Sequence, residues 1–91
     1  MLELVSIMKQ GVHWQLSKVV VNPEHITIIT EASEVNNLFQ EGKIGIGLNE
    51  HVVFSKVSFK SFSGFKDLIA VGSPEQILEK IQKKEKTLLK G

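Results

Sequence analysis

A chain of 91 residues makes one small domain, able to bury only about 60–65% of its unfolded surface. With no cysteine it has neither disulfides nor thiolate zinc sites as staples, and an apolar share of 42% excludes an intrinsically disordered composition. The net charge of +1 conceals an asymmetry: residues 80–91 carry five lysines against Glu85, whereas residues 1–79 carry six lysines against nine acids.

All eleven basic residues are lysine, so arginine's planar fork for carboxylate, phosphate or guanine is missing. No apolar run approaches the roughly 20 residues of a membrane-spanning helix. The opening "MLELVSIMKQG" has an acid at Glu3 and no basic region like that of a signal peptide. A cytoplasmic protein, of a bacterium or an infected host cell, is therefore expected.

In chain order, Leu2–Met8 predicts a strand closed by the turn signal Lys9-Gln10-Gly11. Val12–Val21 predicts a second strand, with Trp14 and Leu16 on one face and Val19 and Val21 on the other. That change of face calls for a bulge or bend near Ser17. Asn22-Pro23 breaks the ladder, the stretch "PEHI" reads as one turn, and the β-branched Ile26–Thr30 as a strand. Val35, Leu38 and Phe39 then fall at helical spacing between Ser33 as cap and Gly42 as stop, predicting a short inserted helical turn.

Ile44, Ile46 and Leu48 alternate with Gly45, Gly47 and Asn49, which predicts a strand with one bare face. Asn49–His51 reads as a hairpin turn, Val52–Phe59 as the returning strand, residues 60–67 as loop-like or bulged, and Leu68–Val71 as a short apolar strand. A helix follows, with Ser73 as cap, Pro74 at its first position and Gln76 completing a capping box. Ile77, Leu78, Ile81 and Leu88 form its apolar stripe, which Glu85 interrupts. The expected fold is α+β, mainly β: a small twisted antiparallel sheet or open barrel of five to six strands, with the inserted helical turn and a C-terminal helix. Residues 1–91 form a single domain, 84–91 being a candidate frayed basic tail.

No stretch assembles a reactive centre. Lys43 follows Gly42 without the Ser or Thr of a phosphate loop, and Gly45-x-Gly47 lacks a third glycine. His13, His25 and His51 are too far apart in sequence to form a close pair of metal ligands. Ser63 lacks the glycine of a nucleophile elbow, and Asp67 is the sole aspartate. No enzyme is expected, and no catalytic, cofactor-binding or metal-binding residue is assigned. The segment "KVSFKSFSGFK" places Phe59, Phe62 and Phe65 among Lys56, Lys60 and Lys66, a mixture able to stack bases and neutralise phosphates. In an extended chain this spacing sends the rings to alternating faces, with Phe59 and Phe65 expected in the core and Phe62 at a rim.

The stretches "VVVNPEHITIITE" (Val19–Glu31) and "VGSPEQILEKI" (Val71–Ile81) resemble small bacterial proteins of the FlbD type, found in flagellar gene clusters, and similar phage proteins. Their shared pattern is a strand, an Asn-Pro-acid-hydrophobic turn, a hairpin, then Ser-Pro-Glu opening a short helix. Relative to it, the segment around Glu34–Gly42 and the stretch His51–Asp67 look like insertions. The resemblance implies a non-catalytic β-sheet protein with no active-site residues to carry over. A fainter likeness of "HITIIT" and "KIGIGLNEHVVFSKV" to carbon-storage-type RNA regulators lacks the basic residues those proteins use on RNA.

The expected function is a non-enzymatic protein-binding module, bacterial or phage-encoded. It would be an adaptor, an inhibitor of a host protein or a minor structural part, and a homo-oligomer. Its candidate contacts are Val35, Leu38, Phe39, Phe59, Phe62 and Phe65. The alternative is a nucleic-acid-binding regulator using Lys56, Lys60, Lys66, Lys80, Lys83, Lys84 and Lys86. No membrane partner is expected.

Overall fold

The computed structural model describes residues 1–48 and 51–90; the side chains of 84–90 lie outside the description, as do residues 49, 50 and 91. Among the described residues five antiparallel strands form one open sheet, accompanied by two helices. Strands β1 (Leu2–Gln10), β2 (His13–Val21), β3 (Ile26–Glu31), β4 (Phe54–Ser61) and β5 (Gly64–Val71) lie in the order β2-β1-β5-β4-β3. Helix α1 (Ser33–Gln40) follows β3, and helix α2 (Pro74–Lys90) follows β5.

The hairpin β1–β2 is regular from Leu2 opposite Val21 to Gln10 opposite His13. The bulge expected near Ser17 is therefore absent. Trp14, Leu16 and Val20 share one face and Val19 and Val21 the other by strict alternation: Val19 and Val21 pack under α2 and Trp14 on the Phe54 cluster, while Leu16 and Val20 stay exposed. The irregularity sits instead in β3, where the register against β4 shifts between Ile26 and Ile28.

Strands β2 and β3 are the two edges, yet only residues 22–25 join them. Edges of a flat five-stranded sheet stand about 19 Å apart. A link whose middle is the 3-10 turn Pro23–His25 spans only about 13 Å. The sheet must curl to bring its edges together. Asn22 sets the link: its Oδ1 accepts from the Glu24 N–H at 3.0 Å and its carbonyl accepts from the His25 N–H at 2.9 Å.

On the face under α2, Leu2, Leu4, Val57 and Ala70 bury against Ile77, with Val21 and Ile26 brought in from the two edges. Ser73 and Gln76 cap α2 reciprocally: Ser73 N–H donates to Gln76 Oε1 at 2.8 Å, and Gln76 N–H to Ser73 Oγ at 3.1 Å. Ile77 is fully buried and Ile81 half-buried, but Leu78 is 49% exposed, so the apolar stripe is narrower than expected. Leu78 points toward Pro23 and Ile29 instead, across a shallow groove. The side chains of Lys84, Glu85, Lys86 and Leu88, in the candidate frayed tail, lie outside the description, whereas the backbone of α2 continues to Lys90.

On the opposite face Ile7 and Phe54 bury against Ala32 and Ile44. Ser33 does not cap α1; the cap position is Ala32, without a side-chain bond. A different polar device anchors the helix. Asn36 Oδ1 accepts from the Phe54 N–H at 2.7 Å, its Nδ2 donates to the Phe54 carbonyl at 3.2 Å, and the Ala32 N–H reaches the same oxygen at 3.1 Å. The helix ends in a Schellman motif: Gly42 N–H donates to Phe39 and Lys43 N–H to Leu38, with Gly42 at φ +75.

The strand expected over Ile44–Leu48 does not form. Gly47, inside that segment, adopts left-handed backbone (φ +71), which interrupts an extended strand. Ile44, Ile46 and Leu48 nevertheless all pack onto the Phe54 cluster, from an irregular chain. The hairpin turn expected at Asn49–His51 falls largely outside the described residues. The returning strand runs from Phe54 to Ser61 rather than from Val52 to Phe59, and β5 begins at Gly64, so the expected loop 60–67 is a tight hairpin.

Because Asn36 accepts from the Phe54 N–H, Asn36→Ala should deprive that part-buried donor of its partner, while the Phe54 carbonyl keeps the Ala32 N–H. A loss of about 1–3 kcal/mol in urea unfolding is expected.

Candidate functional site

The β4–β5 hairpin turns through Phe62 and Ser63, closed by Ser61 Oγ donating to the Gly64 carbonyl at 2.9 Å. Strict alternation on either side places Phe59 opposite Lys66, Lys60 opposite Phe65 and Ser58 opposite Asp67. The three rings therefore part company. Phe59 is half-buried, Phe65 lies on the other face at 70% exposure, and Phe62 stands wholly outside the fold at 113%. The expectation that Phe65 enters the core is wrong: α1 and the segment after it cover the Phe54 end of that face and not the hairpin end.

Beneath Phe62 the curl of the sheet opens a groove of about 780 Å³. Phe59 to Phe62 form one wall, and Met1, Val20, Val21, Asn22 and His25 form the other. Met1 and Val20 are strongly exposed, as is Ile28. Sequence reasoning passed over Val20 and Met1, although Val20 between Val19 and Val21 had to face away from them in any regular strand.

Val35, Leu38 and Phe39 are all half-buried and packed against the Ile7–Phe54 cluster, with Phe39 edge-on to Phe54 at 5.2 Å. Their apolar surface is turned largely inward. The lysines do not converge either. Lys56 lies on the face of Lys60 and Phe65, 3.5 Å from Asp67, while Lys66 is on the opposite face with Phe59. Lys80 and Lys83 are exposed on α2, where Lys83 pairs with Glu79 at 3.6 Å; the side chains of Lys84 and Lys86 lie outside the described residues.

The Asp67 carboxyl has a lowered pKa. Ser58 Oγ donates to its Oδ1 at 2.6 Å, and this bond, aided by the nearby Lys56 ammonium, outweighs the opposing effect of desolvation and holds the carboxyl below the usual range. His13, His25 and His51 sit on β2, the 3-10 turn and the loop before β4. Among the described residues no group of three or more His, Asp or Glu side chains could hold a metal ion. No helix among them is long and apolar enough to cross a membrane.

The chain matches no protein-family model, no curated protein and no solved structure. Its site is therefore defined by geometry: an aromatic hairpin tip above a mainly apolar groove.

A depressed Asp67 pKa stabilises the fold above the group's unfolded value, and this is lost as pH falls through the folded value. Ser58→Ala removes the principal cause. Carboxyl NMR titration should then find Asp67 shifted up toward the ordinary aspartate range, with the acid-side loss of stability setting in at higher pH.

Proposed function

We propose that this protein is a non-enzymatic protein-binding module that docks through Phe62 and the groove beneath it. The observation carrying this reading is the complete exposure of Phe62 on a tight, hydrogen-bonded turn. A phenylalanine left in water forgoes about 1.5–3 kcal/mol of burial. A ring presented on a short, closed turn loses little further conformational freedom when a partner covers it. Aromatic anchors seated over an apolar depression are the usual centre of a protein–protein interface.

Of the expected contact residues, Phe59, Phe62 and Phe65 lie at or beside this surface, whereas Val35, Leu38 and Phe39 serve the core cluster. An adaptor, an inhibitor of a host protein or a minor structural part would all use such a surface. The resemblance to FlbD-type proteins supports a non-catalytic role in a bacterial or phage-infected cytoplasm. The nucleic-acid alternative is weaker, since Lys56 is paired with Asp67 and Lys60 and Lys66 lie on opposite faces.

Affinity capture from bacterial lysate at moderate salt tests the assignment. Phe62→Ser should abolish retention of a protein held by the wild type and change folding free energy by no more than about 0.5 kcal/mol, as expected for a surface side chain. Retention unchanged by Phe62→Ser, or nucleic acid co-purifying at low salt as a raised ultraviolet absorbance ratio, would count against it.

A further inference from the structure

The two sheet edges differ in kind. Strand β3 is six residues long, carries a register shift between Ile26 and Ile28, and runs directly into α1. Strand β2 is nine residues long, keeps unbroken register with β1, and contains neither proline nor glycine. Its one lysine, Lys18, lies 3.5 Å from Glu3 on β1. Exposed edges of natural sheets are blunted by bulges, prolines, charged side chains or brevity. β3 shows two of these devices and β2 only one, Lys18, whose charge Glu3 offsets, while Leu16 and Val20 remain exposed along it.

We propose that β2 is a self-association edge, on which a second copy of this chain pairs its own β2 antiparallel about a two-fold axis at Ser17. The strand's pattern selects both partner and register. A two-fold at Ser17, the midpoint of His13–Val21, pairs all nine residues of each strand. It sets Trp14 opposite Val20 of the second copy, Leu16 opposite Lys18, and Ser17 opposite itself. A centre at Lys18 would place the two lysines against each other, and a centre at Leu16 would put Trp14 opposite Lys18. Both also shorten the ladder. The isologous pairing satisfies the outward N–H and C=O groups of both edges at once, joining the two sheets into one.

The absence of cysteine makes the register directly testable. Light scattering should give a concentration-dependent mass rising toward twice 10.2 kDa. Ser17→Cys should oxidise to a covalent dimer, because residues directly opposite across an antiparallel pair have Cα atoms about 4.5–5.5 Å apart. Gln15→Cys should not, since its counterpart would lie about 13 Å away along the strand. Leu16→Lys, a change at an exposed position, sets like charges opposite each other twice and should weaken self-association about tenfold. A single-chain mass at every concentration overturns the proposal. So does a dimer that ignores Leu16→Lys, or one that crosslinks through residue 15 and not 17. Phe62→Ser, on the β4–β5 turn and outside the β2 ladder, should leave the mass unchanged, which distinguishes self-association from docking although Val20 and Val21 belong to both surfaces.

Discussion

The short link between the outermost strands governs the shape of this molecule. Four residues, held in a 3-10 turn by Asn22 and Pro23, cannot reach across a flat sheet of five strands. The sheet therefore curls, and Val21 from one edge and Ile26 from the other join the cluster around Leu4, Val57 and Ile77. The same curl leaves a groove between the end of β2 and the end of β4. Core and candidate site thus follow from one constraint.

The two faces are covered by different means. Over the first, α2 is fastened by its capping box and by the burial of Ile77, a mainly apolar attachment. Over the second, α1 is tied to the start of β4 through the side chain of Asn36 and the backbone of Phe54. That polar tie sets where Phe39 meets Phe54 and where Ile44 enters. The cover stops short of the hairpin end, leaving Phe65 and Ile28 in solvent. The uncovered end of that face carries Phe65 and Ile28, and Phe62 stands beyond its rim.

Much of the fold was legible locally. The first hairpin, the Asn22-Pro23 turn, the Schellman stop at Gly42 and the Ser73–Gln76 capping box are signals that depend on neighbours a few residues away. The errors arose where two structures share one apolar pattern. Ile44, Ile46 and Leu48 alternate as a strand would, but the left-handed Gly47 lets an irregular chain bury the same three side chains. At residues 60–67 the polar and glycine content signals a turn, and pairing across β4–β5 decides that the turn is only two residues long.

For the candidate site, the sequence determined which residues were available: three phenylalanines among three lysines, no arginine, no cysteine and no dense cluster of metal ligands. It determined too that rings spaced by three along an extended chain must separate. Only the tertiary structure decided which ring is left outside, that Ser58 and Lys56 engage Asp67, and that Val20 and Met1 supply the far wall of the groove. Those outcomes depend on how far the helical cover extends over a curled sheet. That extent is set by contacts between residues tens of positions apart, which no local pattern encodes.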